Sequence, residues 1–212
     1  MCWNPDISIN TFLFACLSLV FIFLANTYSK YKIQTFDNPL VYLLFIEIAA
    51  IQLVEFFLWR NLNNKPINKL LSRIASYVIL SQPLTLIFMI NKPLMKKILL
   101  LLYGIFIIIH NIFLAPRLNT TVGVNGHLSW DWLNCKPIFL FTGLLFYLVP
   151  LLFIDKPVLS FFIIILLFTT LISYFRYNTF GTMWCWVSNF ILLYFILEIL
   201  IIKPFYDYKS LC

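Results

Sequence analysis

Long apolar runs separated by short polar clusters pattern the chain from end to end. A membrane-crossing helix needs about 20 mainly apolar residues. Seven runs meet or approach that length, near 10–28, 39–59, 68–90, 97–116, 137–154, 158–175 and 184–202. The pattern predicts an all-α fold: a single integral membrane domain over residues 1–212, built as a polytopic bundle of seven transmembrane helices. The fifth and sixth runs are separated only by Asp155-Lys156-Pro157. A helix continuing through that break would bury two charged groups at about 2.5–3.5 kcal/mol each. Two spans in a tight antiparallel pair are therefore expected. Residues 1–6 have no basic segment and no small-residue cleavage site, so the first run is expected to be a retained helix and not a signal peptide.

Seven spans put the two termini on opposite sides. The side of Met1 then carries loops 60–67, 117–136 and 176–183, and the second side carries loops 29–38, 91–96 and 155–157 with the tail. With Arg73 placed inside the third span, Arg60, Lys65, Lys69, Arg117, Lys136 and Arg176 fall on the first side. Lys30, Lys32, Lys92, Lys96, Lys97, Lys156, Lys203 and Lys209 fall on the second. The excess favours a cytoplasmic second side. Trp3, Trp59, Trp130, Trp132, Trp184 and Trp186 all map to the first side. An ordinary aromatic belt occupies both faces, so two readings stand. One is a thick belt at one interface, and the other is a set of indoles roofing a cavity. Residues 117–136 form the longest connection and contain Gly123, Gly126 and His127, which suits a folded lid.

Composition removes the soluble alternatives. The chain is 62% hydrophobic and 11% charged with mean hydropathy +0.94, against about 25% charged residues in a soluble domain. The net charge of +7 comes from lysines and arginines between apolar runs, which points to lipid headgroups and not to nucleic acid. The five glycines form no Gly-x-x-x-Gly, so close small-residue helix contacts are not the main packing device. The 23 Phe and 11 Tyr predict packing through large side chains.

Candidate chemistry centres on the second run, which holds Glu47, Gln52 and Glu55. Acidic groups at membrane depth usually face a protein interior or a wet cavity. Gln52, Glu55 and Trp59 follow a three- and four-residue spacing and share one helix stripe. Counted along the helices, Glu55, Gln52, His110 and Asn111 fall in an upper polar layer beneath the tryptophans. Glu47, Gln82 and Glu198 fall in a lower one. Each has a plain structural alternative: a buried Glu can be protonated and bonded to a neighbour, and Gln82 can satisfy a carbonyl freed by Pro83. Glu55, His110 and His127 are the candidate proton-transfer groups. Gln52, Glu55, Gln82, Trp59, Trp130 and Trp184 are the candidate ligand contacts. With two histidines and no His-x-x-x-His or Cys-x-x-Cys, no metal site is expected, and the sequence specifies no cofactor. A disulfide between two of Cys2, Cys135 and Cys185 is permitted if the first side is extracytoplasmic.

Met1-Cys2-Trp3, the glutamate on helix two, Gln82-Pro83, His127-x-x-Trp130 and Trp184-Cys185 together make the chain similar to one family. It resembles an uncharacterised group of small polytopic membrane proteins, a domain of unknown function seen in bacteria and in large DNA viruses. The resemblance implies a seven-helix membrane fold and no particular activity. It adds Cys2, Trp3 and Cys185 to the residues of interest. The expected function is binding or transport of a small molecule or lipid through a polar intramembrane pocket. An intramembrane enzyme acting on a lipid or quinone-like substrate is the alternative, and a structural protein of a viral or cellular membrane is a third. The expected partners are the bilayer and such a ligand, in a host or virion membrane among others.

Overall fold

A computed structural model describes residues 4–114, 117–133, 137–177, 179 and 184–211. Its elements in chain order are α1 (Pro5–Tyr28), a 3-10 turn (Gln34–Asp37), α2 (Pro39–Arg60), α3 (Lys65–Phe88) and α4 (Pro93–Leu114). The strands β1 (Thr120–Val122) and β2 (Leu128–Trp130) follow, then α5 (Pro137–Leu151), α6 (Pro157–Tyr177) and α7 (Trp184–Leu197). A π-helical turn (Glu198–Ile202) joins α7 to α8 (Lys203–Leu211).

Asparagine–proline signals start the first helices. Asn4, Asn38 and Asn64 cap α1, α2 and α3 by accepting from the backbone N–H of Ile7, Leu40 and Ile67, and a proline occupies the first or second helical position of each. The cap satisfies an orphan donor, and proline fixes φ where its missing N–H costs nothing. Helices α1 and α3 therefore begin at residues 5 and 65, ahead of the expected 10 and 68, and α4 begins at Pro93, ahead of the expected 97. Helix α5 ends earlier than expected, at Leu151, just after Pro150.

Five helices are long and apolar enough to cross a membrane: Pro5–Tyr28, Pro39–Arg60, Lys65–Phe88, Pro93–Phe113 and Trp186–Lys209. The chain is a multi-pass, mainly helical membrane protein on that basis. The apolar stretches Ile138–Leu151 and Pro157–Thr169 are shorter. At about 1.5 Å per residue, the 15 residues of α5 reach about 22 Å, short of a hydrocarbon core of about 30 Å. Seven crossings are thus not given by length alone.

Contacts between loops fix which helix ends lie together. At the first end, Asn68 near the start of α3 clamps Thr120 of β1. Its Nδ2 donates to the Thr120 carbonyl at 2.8 Å, and its Oδ1 accepts from the Thr120 N–H at 2.9 Å. Asn125 in the hairpin loop donates to Thr179 Oγ1 at 2.9 Å. Asn189 in α7 donates to the Thr11 carbonyl of α1 at 3.2 Å. At the other end, Lys156 Nζ donates to the Gln34 carbonyl at 2.6 Å. Lys30 pairs with Asp207 at 2.7 Å, Lys203 donates to the Lys32 carbonyl, and Lys92 lies over the Phe153 ring.

Helix α2 packs against α1, α3 and α7, while α3 also meets α4 and α5, and α6 joins α5 to α7. The core between them is aromatic. Phe36, Phe45, Phe162 and Phe195 stack edge-on and face-on across four elements. Large rings burying area at 4.5–7 Å separations replace the missing small-residue contacts. The 117–136 connection, expected as a lid, is over its described residues a β-hairpin. Thr120, Thr121 and Val122 pair with Trp130, Ser129 and Leu128, and the loop turns through Gly126 at φ 75°, a conformation glycine adopts without penalty.

Candidate functional site

Proline 83 shapes the region where polar groups converge. It sits inside α3, where it donates no hydrogen bond to the carbonyl four residues back and pushes that turn apart. Tyr147 of α5 donates to the orphaned Ile79 carbonyl at 3.0 Å, and Tyr103 of α4 donates to the next one, Leu80. Two neighbouring helices thus complete the broken turn. Gln82 is fully buried and places its Oε1 3.1 Å from the same Tyr147 hydroxyl. Its Nε2 has no partner among the described residues. The expectation that Gln82 caps the freed carbonyl is replaced by a different arrangement: a tyrosine hydroxyl does so, and Gln82 bonds the tyrosine.

Beside this turn lies a cavity of about 50 Å³ bounded by α3, α4, α5 and the segment after β2. Pro83, Tyr103, His110, Trp132, Gly143 and Tyr147 contribute to its wall, and the remainder is aliphatic and phenyl. A water needs about 10–15 Å³ by this measure, so the space takes about three to five waters or one small polar group. His110 and Trp132 are buried, at 6% and 1% exposure. Neither His110 Nδ1 nor Trp132 Nε1 has a hydrogen-bond partner among the described residues. Phe106 lies against the imidazole with centroids 5.5 Å apart, and Trp130 stacks on Trp132 at 5.4 Å, 11° from parallel. The hairpin therefore brings the indole down onto the cavity and backs it with a second one.

The remaining expected residues lie elsewhere. Gln52 and Glu55 share one buried face of α2, both with no exposed surface, and neither lines the cavity. Neither polar atom of the Gln52 carboxamide has a partner among the described residues. Glu47 is half-buried and accepts from Thr85 at 3.0 Å, while Glu198 pairs with Lys203 at 3.3 Å. The two polar layers are therefore not two rings. Glu198 belongs to an ion pair with Lys203, and His110 lines a different cavity from the one expected above Glu55. His127 lies in the hairpin, its N–H bonded to Asn125 at 3.3 Å. Burial lowers its pKa from the ordinary 6.5 to about 4, so it is neutral at pH 7.

The described tryptophans share one end but no single roof. Trp132 lines the cavity, Trp186 lines a groove between α1 and α7, and Trp59 borders a depression at the α2–α3 turn. Trp184 opens α7, but its side chain is outside the described residues, as are Cys2, Trp3, Cys135 and the Cys185 side chain. Among the described residues no three His, Cys, Asp or Glu side chains group to hold a metal ion. Sequence reasoning passed over Tyr103 and Tyr147 as pocket residues and had Trp132 only as one of six indoles that could roof a cavity. Tyrosines at 103 and 147 beside a mid-helix proline were the available signal, because freed carbonyls in lipid demand donors.

No protein-family model, no curated protein and no solved structure matches the chain.

Proposed function

We propose that the chain crosses the membrane seven times and binds the polar group of a small molecule or lipid in the His110–Trp132 cavity. One observation carries this reading: His110 and Trp132 line one mainly apolar space, and a buried imidazole nitrogen of the first and the buried indole N–H of the second have no hydrogen-bond partner among the described residues. A buried polar group left without a partner costs about 1–3 kcal/mol, and a ligand accepting from Trp132 and bonding His110 removes both costs. The size favours a compact acceptor such as a carbonyl, hydroxyl or ester. The wall contains an imidazole and no carboxylate, so binding fits it better than acid–base catalysis by a His–Glu pair. The grouped loop ends support seven crossings, with α5 and the hairpin together making up the depth that α5 alone lacks.

Native mass spectrometry of small molecules retained by the purified protein tests the reading. Trp132→Phe removes the N–H and keeps an aromatic ring, and His110→Phe removes the nitrogens. Both are expected to lose a ligand that the wild type retains. Equal retention by all three folded proteins would contradict the proposal.

A further inference from the structure

We infer that the ligand of the His110–Trp132 cavity is a neutral, single-chain lipid that enters from the bilayer between α4 and α5, with Gly143 as its doorway. The inference rests on the reading that this cavity takes a polar group, and it adds the ligand's class and route. The cavity is not closed on all sides. Trp132 and Leu133 cover it towards the first end, and Pro83, Tyr103 and Tyr147 cover its deeper side, all of them buried. Among its described wall residues, only Ile79 and Leu80 of α3 and Phe139 and Gly143 of α5 are partly exposed. Ile79 and Leu80 fill their places with full side chains. Gly143 leaves its place open: a Cβ there would meet one atom across the seam within 4 Å, the Phe106 Cζ at 3.5 Å.

Two ring pairs frame this gap in the α4–α5 seam. Phe113 meets Phe139 with centroids 5.5 Å apart, and Phe106 meets Phe146 at 5.4 Å. Both pairs keep one antiparallel register, which sets Gly143 between them, across from Ile109 and beside His110. Ile109 and Phe113 are exposed on the outer side. Gly143 lies about 9 Å along α5 at 1.5 Å per residue, and in a helix that crosses the bilayer that depth faces acyl chains. The wall then narrows the ligand. Trp132 offers an N–H, so the head needs an acceptor oxygen. Among the described residues no lysine or arginine lines the cavity, so a phosphate or carboxylate would be buried without a counter-charge, which is strongly unfavourable. The space takes one small polar group, and an opening one side chain wide passes one chain. A phospholipid, with a charged head and two chains, fits neither. A long-chain alcohol or fatty amide meets each requirement.

The test uses the full chain in phosphatidylcholine nanodiscs containing a small fraction of hexadecanol, with retained lipid counted by native mass spectrometry. Hexadecyl phosphate, the same chain with a charged head, is the comparator. The wild type is expected to retain hexadecanol over both hexadecyl phosphate and phosphatidylcholine. Gly143→Leu fills the doorway and is expected to lower that retention at least about tenfold. Gly143→Ala, whose methyl sits at ordinary contact distance from Phe106, is expected to lower it less. Hexadecanol carrying a mid-chain diazirine is expected to label α4 and α5 next to Gly143 in the wild type, a readout that needs no variant to fold. Hexadecanol lost by Trp132→Phe yet held by Gly143→Leu, or labels confined to other helices, would overturn the route and leave the cavity reading standing. Hexadecyl phosphate held as well as hexadecanol, or a compact water-soluble molecule held in its place, would overturn the ligand class. Retention by no protein, or equal retention by wild type, Trp132→Phe and Gly143→Leu, would overturn both this inference and the cavity reading.

Discussion

The Tyr147 hydroxyl lies 3.0 Å from the Ile79 carbonyl, the acceptor that Pro83 deprives of its helical donor. A break in α3 is thereby bonded to α5, and the same hydroxyl touches Gln82. Tyr147→Phe is expected to destabilise the fold by about 1–3 kcal/mol. In a Pro83→Ala background the residue at 83 can donate to Ile79, so the cost of Tyr147→Phe should shrink by at least about 0.5 kcal/mol. Reversible unfolding in bicelles measures both. Additive effects would show that the tyrosine does not serve the proline break.

Asn68 holds the hairpin to α3 through two hydrogen bonds to the Thr120 backbone and also donates to the Leu62 carbonyl before α3, and Ser72 adds a hydroxyl contact to Thr120 at 2.7 Å. Asn68→Ala leaves a buried peptide unit without its donor and acceptor. A loss of about 2–4 kcal/mol is expected from two such groups, with faster amide exchange concentrated in 120–130. Exchange unchanged there, or raised equally in every helix, would contradict this clamp.

Acid should loosen the same hairpin. Burial depresses the folded His127 pKa to about 4 against an ordinary 6.5. Above pH 6.5 the residue is neutral in both states and contributes nothing to pH dependence. As pH falls from 6.5 towards 4 the unfolded form takes up the proton first, so stability is lost across that window. Hydrogen exchange of 120–130 should accelerate from pH 7 to 5 beyond its intrinsic change in the wild type, and not in His127→Gln. Identical acceleration in both would assign the effect to another group.

Seven crossings place Val124, in the hairpin loop, opposite Asp155. Both are exposed. In a cysteine-free background, Val124→Cys and Asp155→Cys are expected to react with a membrane-impermeant thiol reagent from opposite faces of sealed vesicles. Reaction from the same face would reduce the count of crossings and remove α5 as a span.

Helices α1 to α4 were legible because each apolar run is long and bounded by charge, and their order fixed which loops meet. Their starts were misplaced where Asn4-Pro5 and Asn64-Lys65-Pro66 cap the helix ahead of the apolar run, since hydropathy does not register a cap. The hairpin had a signal in Asn125-Gly126, overlooked in a segment read only as a lid. The site was less legible. Residue depth placed Glu55 and His110 near one level, but depth along a helix says nothing of azimuth. Helix α3 packs against both α2 and α4, and His110 lines a wall that includes neither Gln52 nor Glu55. Trp132 became a pocket residue because the hairpin folds back, a tertiary event that no local pattern encodes.

The most direct test of the central claim is an experimental density map of the wild-type protein in a lipid nanodisc. Non-protein density is predicted in the cavity, within 3.2 Å of both Trp132 Nε1 and His110 Nδ1 and absent from a Trp132→Phe map. A cavity collapsed by its own side chains, with the indole N–H bonded to the protein, would contradict it.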